Sequence, residues 1–134
     1  MPYANIAPCT LHGMSYPLGI YFKVPHGLAV SLLIPRVMEV NIQKGCELYA
    51  ELAAFIPGVT ADMSDMEKSE RLQRFVDGLV SSAQMSGALE GYGVSATDVA
   101  ELSERSLDLK TALLNNPVDF SREDAEQVLG QLVR

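Results

Sequence analysis

The sequence predicts an all-α protein, a single helical domain over residues 1–134 built as a bundle of five to seven helices. Apolar residues recur at helical spacing along most of the chain, whereas stretches that alternate apolar and polar residues are rare. Residues that begin and end helices lie between the periodic stretches. With 134 residues, 48% of them apolar and 20% charged, the chain is long enough to bury one hydrophobic core.

The most regular apolar stripe lies in the middle of the chain. Its members are spaced i, i+3, i+4, i+7, i+8 and i+11, so they share one face of a helix. They are Leu72, Phe75, Val76, Leu79, Val80 and Ala83. The candidates for the cap before this helix are Thr60, Ser64 and Asp65. The glycines predicted to end it are Gly87, Gly91 and Gly93.

Two further amphipathic helices are predicted in the last third of the chain. The first contains Val99, Leu102 and Leu107, and the second contains Ala125, Val128, Leu129, Leu132 and Val133. Each follows a serine with an aspartate three positions later, so that a hydroxyl and a carboxylate meet the unpaired N–H groups of the first turn. These pairs are Ser95 with Asp98 and Ser121 with Asp124, and Asn115-Asn116-Pro117 separates the two helices.

The stretch from Leu28 to Val40 is apolar on nearly every side, which predicts a helix buried at the centre of the bundle. Pro35 inside it is expected to kink the helix or to end its first segment. The segment from Gly45 to Phe55 is predicted to form the next helix. Ile56 to Asp65 is predicted to be the longest loop.

Composition excludes several classes of protein. The net charge is −7 and the ten basic residues are scattered, which argues against nucleic-acid binding. The longest apolar run, Leu28 to Ile34, is far too short to span a bilayer, so no membrane association is expected. No signal peptide is recognisable at the N-terminus, and Cys9 and Cys46 fit no metal or redox spacing. We therefore predict a cytoplasmic protein with two free thiols.

The two histidines are the candidate metal ligands. His12 and His26 lie 14 positions apart (26 minus 12), which on one straight helix would separate them by about 21 Å. Two ligands of one ion must lie within a few ångströms of each other, so the chain must turn back between them. Pro17, Gly19 and Pro25 are the residues predicted to make that turn.

Pro25 would then place His26 in the first turn of the long buried helix, where the positive helix end favours the neutral imidazole. Spacing alone leaves open that both histidines are ordinary polar residues, and two ligands fall short of a usual catalytic metal site.

The segment from His12 to Gly27, HGMSYPLGIYFKVPHG, resembles the signature of iron-containing (group III) alcohol dehydrogenases. That family typically shows a histidine, a second histidine four positions later, a glycine-containing turn and then Pro-His-Gly. The following LAVSLLIPRVMEVN resembles the family's proline-interrupted apolar helix, ending here at Asn41. Shorter likenesses occur in the family's order at Tyr3-Ala4-Asn5, GYGVSATDVAEL and NNPVDFSREDAEQVL. The resemblance covers essentially the whole chain.

This resemblance implies the C-terminal helical domain of a two-domain enzyme. In the family, an N-terminal α/β domain binds a nicotinamide dinucleotide on a Gly-rich loop. Fe²⁺, sometimes Zn²⁺, is held by one Asp and three His, and it polarises the alcohol or aldehyde oxygen for hydride transfer. By resemblance, His12 and His26 match two of the ligating histidines. The Asp, the third His and the NAD(P) site would precede this sequence, so we expect the dinucleotide-binding domain to be absent.

Two positions depart from the family's pattern. Tyr16 occupies the place of the second histidine of the signature, which has a proposed part in proton relay. A tyrosine keeps a ring and a hydroxyl, but an unperturbed pKa of about 10 makes a phenol a poor base at neutral pH. Val118 stands where an arginine commonly follows Asn-Pro. No confident catalytic residue is therefore assigned.

Three hypotheses follow. The first is a metal-ligand-bearing domain of an iron-dependent, NAD(P)-linked alcohol dehydrogenase, inactive alone, holding metal weakly or not at all, and needing a separately encoded dinucleotide-binding half. The second is a free-standing helical interaction or scaffold protein derived from that domain, self-associating as a homodimer through its formerly covered apolar surface. The third is a small metal-binding protein that adds Asp or Glu ligands to His12 and His26.

Overall fold

The computed structural model describes residues 9–85 and 87–133, and over these ranges the protein is helical with no strand. The seven α-helices within these ranges are α1 (Thr10–Phe22), α2 (His26–Gln43), α3 (Ala50–Ala53), α4 (Asp65–Ser82), α5 (Val99–Ser106), α6 (Lys110–Leu114) and α7 (Arg122–Leu132). Two single 3₁₀ turns, Glu90–Tyr92 and Ala96–Asp98, precede α5. The predicted all-α bundle is confirmed, while the Tyr3-Ala4-Asn5 likeness lies outside the described residues.

The central element is α2, which packs against α1, α4 and α7. Half of its residues are buried, as its nearly continuous apolar character predicts. Pro35 does not end the helix, so that alternative was wrong. A proline inside a helix costs about 3 kcal/mol, but each large apolar side chain that α2 buries contributes about 1.5–3 kcal/mol. The Pro35 carbonyl accepts a hydrogen bond from Gln73 Nε2 of α4 at 3.1 Å.

The reversal between α1 and α2 is shorter than predicted. Pro17 and Gly19 lie inside α1, so their assignment to a turn was wrong; α1 stays helical there because it packs against α2, α5 and α6. The turn consists of residues 23–25. Lys23 adopts a left-handed conformation with φ of 59°, and its N–H donates to the Gly19 carbonyl at 3.2 Å. Pro25 is the N-cap of α2, which confirms the prediction that His26 begins the buried helix.

The segment after α2 forms less helix than predicted. Only Ala50–Ala53 is helical within the predicted helix from Gly45 to Phe55. Gly45 reverses the chain with a φ of 89°, and few side chains of this segment are buried in the core. Phe55 is 86% exposed. Residues 54–64 form the predicted long loop.

Helix α4 begins at a capping box. The Ser64 hydroxyl accepts from the Glu67 N–H at 3.2 Å, and the Ser64 N–H donates to the Glu67 carboxylate at 2.8 Å. The helix ends at Ser82, before the three predicted glycines, because Gln84 takes the left-handed conformation with φ of 55°. The predicted apolar stripe exists but is only partly covered, and Leu79 remains 56% exposed.

The C-terminal part follows the sequence closely. The carboxylates of Asp98 and Asp124 accept from the N–H groups of Ser95 and Ser121 at 2.9 and 2.7 Å. Ser121 caps α7 as predicted, whereas Ser95 caps the 3₁₀ turn Ala96–Asp98 that leads into α5, because one extra turn forms before that helix. The short α6 between α5 and α7 was not predicted. The core lies where α1, α2, α5 and α7 meet, and its largest fully buried side chains include Met14, Leu18, Leu33, Leu89 and Leu129. Among the described helices, none has the length and apolarity needed to cross a membrane.

Candidate metal centre

Three rings from α1 and α2 converge at one end of the bundle. The ring centroids of His12 and His26 are 5.6 Å apart. Tyr16 lies beside both, with centroid distances of 6.2 Å to His12 and 6.3 Å to His26. The short turn at residues 23–25 makes this possible, since it folds α2 back so that its first residue meets the first turns of α1. The structure therefore brings together all three residues that the sequence singled out.

His12 lies in the first turn of α1 and is half-buried. Its Nδ1 lies 3.5 Å from the Sγ of Cys9, the N-cap residue of the same helix. Cys9 and Cys46 are both free thiols, as predicted. The contact gives Cys9 a neighbour that the sequence interpretation did not assign, although the spacing of three residues places both side chains on one face of a helix.

His26 is exposed and lies at the N-terminal end of α2. Its Nδ1 lies 3.4 Å from the Oγ of Ser15, which belongs to α1. The same Oγ donates to the main-chain carbonyl of His12 at 3.1 Å. Ser15 thus contacts both histidines, and the sequence interpretation missed it. Its position three residues after His12 was the available signal, because i and i+3 share a helix face.

The two imidazoles have a geometry that suits half of a coordination sphere. Two imidazoles on one tetrahedral ion have ring centres roughly 5 Å apart, given metal–nitrogen distances of about 2.0–2.1 Å. The observed 5.6 Å is close to that separation. Each Nδ1 faces a protein group, which is the usual arrangement when a histidine binds metal through its other nitrogen.

The described part of the chain supplies no complete metal site. Over residues 9–85 and 87–133, no group of three or more His, Cys, Asp or Glu side chains is arranged to hold an ion. Within these ranges no carboxylate or thiol is placed to complete a set of three ligands with His12 and His26, and the Cys9 thiol contacts His12 at Nδ1. The donor set fits Fe²⁺ or Zn²⁺ only if further ligands come from elsewhere.

A groove of about 260 Å³ borders the ring of Tyr16 and runs along α1. Pro17, Ile20 and Tyr21 line one wall, and Arg105 lines the other. The Arg105 guanidinium lies 4.5 Å from the centre of the Tyr21 ring and donates to the Glu101 carboxylate at 2.7 and 3.0 Å. The cation is thus already paired. A larger groove of about 420 Å³ lies between α2, α4 and α7 and includes neither histidine.

The fold defines the class of the protein, an all-helical domain that also occurs as part of a longer chain. A crystal structure of 1,3-propanediol oxidoreductase superposes with a TM-score of 0.80 at 23% identity, covering 92% of this chain and 32% of that chain. The family follows from the sequence itself. The profile of the Fe-containing alcohol dehydrogenase family, C-terminal, matches residues 1–133. The chain belongs to this family and corresponds to its C-terminal domain.

The chain is also similar to parts of several curated proteins. Lactaldehyde reductase of Escherichia coli (strain K12) is 29% identical over 124 residues, which are 92% of this chain and 32% of that protein. The 1,3-propanediol dehydrogenase of Citrobacter freundii is 28% identical over 126 residues, which are 94% of this chain and 33% of that protein. The chain spans about a third of the length of the curated relatives it matches.

Proposed function

We propose that this chain supplies the C-terminal, metal-ligand-bearing half of an iron-dependent, NAD(P)-linked alcohol dehydrogenase. The observation that carries the proposal is the convergence of His12 and His26, whose ring centres lie 5.6 Å apart in a chain that belongs to this family along nearly its whole length. Both would bind through Nε2, because each Nδ1 is occupied by a protein group. The bound Fe²⁺ or Zn²⁺ would polarise the oxygen of an alcohol or aldehyde.

Tyr16 would contribute a hydroxyl rather than a base. Its ring lies beside both histidines, and the side chain is 44% exposed, so a substrate bound next to the metal can reach it. A phenol hydroxyl can donate a hydrogen bond to the substrate oxygen or pass a proton on to solvent. The groove that borders Tyr16 is mostly apolar or aromatic in its lining and would accept the carbon chain of the substrate.

The rest of the site would come from an α/β domain, in the same polypeptide or in a separate chain. That domain would add the carboxylate, the third histidine and the dinucleotide-binding loop. Two ligands without a carboxylate bind a divalent ion much less tightly than a complete site. We therefore expect the 134-residue chain to be inactive on its own. A cytoplasmic location, where NAD(P) is present and thiols stay reduced, suits the free Cys9 and Cys46.

A chimera tests this proposal. The matching C-terminal third of the Escherichia coli lactaldehyde reductase is replaced by this chain, and the purified protein is assayed for bound iron or zinc and for NAD(P)-dependent alcohol oxidation. We expect about one metal per chain, lost in His12→Ala and in His26→Ala. Ser31→Ala should keep the metal, because this hydroxyl donates to the Gly27 carbonyl of its own helix. A chimera with normal helix content and a sharp elution profile that binds no metal would contradict the proposal. So would turnover by the isolated chain.

The exposed apolar side chains around α3 and α4 favour a second candidate function, that of a free-standing interaction protein. They are Leu48, Leu52, Phe55, Phe75 and Leu79, which lie in or next to two helices that pack against each other. Exposed apolar surface of this kind commonly becomes an interface. Under this candidate the isolated chain forms a homodimer through these residues. Sedimentation velocity over a wide concentration range tests it: Phe55→Lys should abolish association, and a wild-type monomer at every concentration excludes the candidate.

A further inference from the structure

We infer that Ser15 is a positioning residue that holds His26 in the one neutral tautomer able to bind a metal ion through Nε2. Its consequence for metal binding rests on the function proposed above, whereas its effect on the ring does not. Ser15 is almost completely buried, with 2% of its surface exposed. From that position its hydroxyl contacts both histidines: the carbonyl of His12 at 3.1 Å and Nδ1 of His26 at 3.4 Å.

Counting protons fixes the direction of each hydrogen bond. A carbonyl oxygen can only accept, so the single hydroxyl proton of Ser15 goes to His12. The Oγ of Ser15 then has only lone pairs to offer His26, and Nδ1 of that ring must carry the proton. A neutral imidazole has one N–H, so Nε2 of His26 is left with a free lone pair. That is the nitrogen a metal needs.

Burial makes the arrangement selective. In water a neutral imidazole prefers the opposite tautomer, with the proton on Nε2, but only by a small margin. In the opposite tautomer, with the hydroxyl proton still on His12, Nδ1 of His26 would present a lone pair to the lone pairs of a buried Ser15 oxygen. If the hydroxyl turned to donate to Nδ1 instead, it would lose its hydrogen bond to the His12 carbonyl, so the Nε2–H tautomer allows one of these two hydrogen bonds where the Nδ1–H tautomer allows both. Ser15 therefore outweighs the intrinsic preference of the ring.

The same hydroxyl also links the two candidate ligands mechanically. It joins the main chain of α1 at His12 to the side chain of α2 at His26, across the interface between the two helices. His26 is exposed at a helix end, where a side chain without such a bond is free to change rotamer. Outer-shell partners of this type, which set the tautomer and orientation of a ligating histidine, commonly change metal affinity by about 10- to 100-fold when removed.

The test reads the tautomer directly in the metal-free chain. The full chain is labelled with ¹⁵N-histidine, and long-range ¹H–¹⁵N spectra are recorded at a pH about two units above the ordinary imidazole pKa, where imidazoles are neutral. Wild-type His26 is expected to show a protonated Nδ1 and an unprotonated Nε2. Ser15→Ala should shift the ring towards the Nε2–H tautomer, and Ser15→Thr should restore the wild-type pattern. Ser31→Ala, which removes a hydroxyl that donates to the Gly27 carbonyl within α2, is the matched control and should change nothing.

A wild-type His26 that carries its proton on Nε2, or an unchanged tautomer in Ser15→Ala, would overturn the inference. A Zn²⁺ titration of the same samples reports on the proposed function separately. We expect Zn²⁺ to shift the Nε2 signals of both His12 and His26, with an affinity about 10- to 100-fold lower in Ser15→Ala. If Zn²⁺ moves neither Nε2 signal in the wild type, the metal centre is refuted, while the tautomer comparison still decides the role of Ser15.

Discussion

Gly13 and Gly78 lie inside helices α1 and α4, yet alanine is expected to have opposite effects at the two positions. Gly13 is buried where α1 crosses α5. A Cβ added there would lie 3.0 Å from the main-chain oxygen of Ser106 and 3.4 Å from the Cβ of Ala112. A Cβ at Gly78 would meet nothing within 4 Å. The pair isolates the effect of a close helix–helix approach.

The magnitude follows from two terms. Replacing glycine by alanine in a helix interior stabilises it by about 0.8–1.0 kcal/mol, and this alone applies at Gly78. At Gly13 the contact with a backbone oxygen forces α1 and α5 apart, and overpacking of that kind costs about 1–3 kcal/mol. Gly13→Ala should therefore change the free energy of unfolding by about 0 to −2 kcal/mol, and it should be less stable than Gly78→Ala by about 1–3 kcal/mol.

Urea unfolding followed by circular dichroism at 222 nm measures this difference. The two variants should share the wild-type m-value, which for a chain of this size lies at about 1–2 kcal/mol per M. A difference of about 2 kcal/mol then separates their midpoints by roughly 1–2 M. If Gly13→Ala proves as stable as Gly78→Ala, the helices do not approach as closely as described, and the reasoning is refuted.

Three further predictions concern the polar contacts that fix α2. Asn41, which is 1% exposed, exchanges hydrogen bonds with Asn116 and donates to the Tyr49 hydroxyl at 2.8 Å. Asn41→Ala leaves these buried partners unsatisfied, so it should lower the free energy of unfolding in urea by about 2–4 kcal/mol. A loss below about 1 kcal/mol would contradict this. Burial raises the pKa of Tyr49 and outweighs the opposing effect of the hydrogen bond from Asn41. The folded protein therefore favours the neutral phenol. The stability that depends on this form is complete below about pH 10 and is lost as the pH rises through the raised pKa of the folded protein. Tyr49→Phe should remove that alkaline loss, and identical profiles for the two proteins would argue against it. Burial alone would raise the pKa of Asp124, but its hydrogen bonds to Lys44 and to the N-cap of α7 outweigh this and hold the pKa below its ordinary value. Asp124→Asn should therefore lower the free energy of unfolding by about 1 kcal/mol at neutral pH. This difference from the wild type should shrink below about pH 4, where the Asp124 carboxylate becomes protonated. A difference that stays constant across that range would exclude the ion pair as its cause.

The sequence predicts the helices well wherever the hydrophobic pattern and the cap agree. The Ser121–Asp124 cap begins α7 where it was predicted, the Ser95–Asp98 pair lies one 3₁₀ turn before α5, and α2 occupies the central position that its apolar character requires. The errors occurred at prolines and glycines. Pro17 and Pro35 remain inside helices because tertiary packing outweighs their local cost. That packing involves three neighbouring helices in each case and cannot be deduced from a local window of sequence.

The residues of the candidate site also fall into those that the sequence predicts and one that it does not. His12, Tyr16 and His26 could be named from a sequence signature, and the structure brings them together. Ser15 could not, because its significance depends on the distance between its hydroxyl and a ring on another helix. The crossing of α1 and α2 sets that distance. A serine inside a helix otherwise indicates little more than a hydroxyl bonded to the preceding turn.

The link of three residues, 23–25, between α1 and α2 limits how far apart the rings of His12 and His26 can lie. One residue added inside either helix would turn everything beyond it by about 100° and carry one ring away from the other. The loop at 54–64 lies outside this hairpin, and a loop of that kind can lengthen at a cost that grows only with the logarithm of its size. Length variation compatible with the paired rings should therefore accumulate in the long loop and be excluded from the short link.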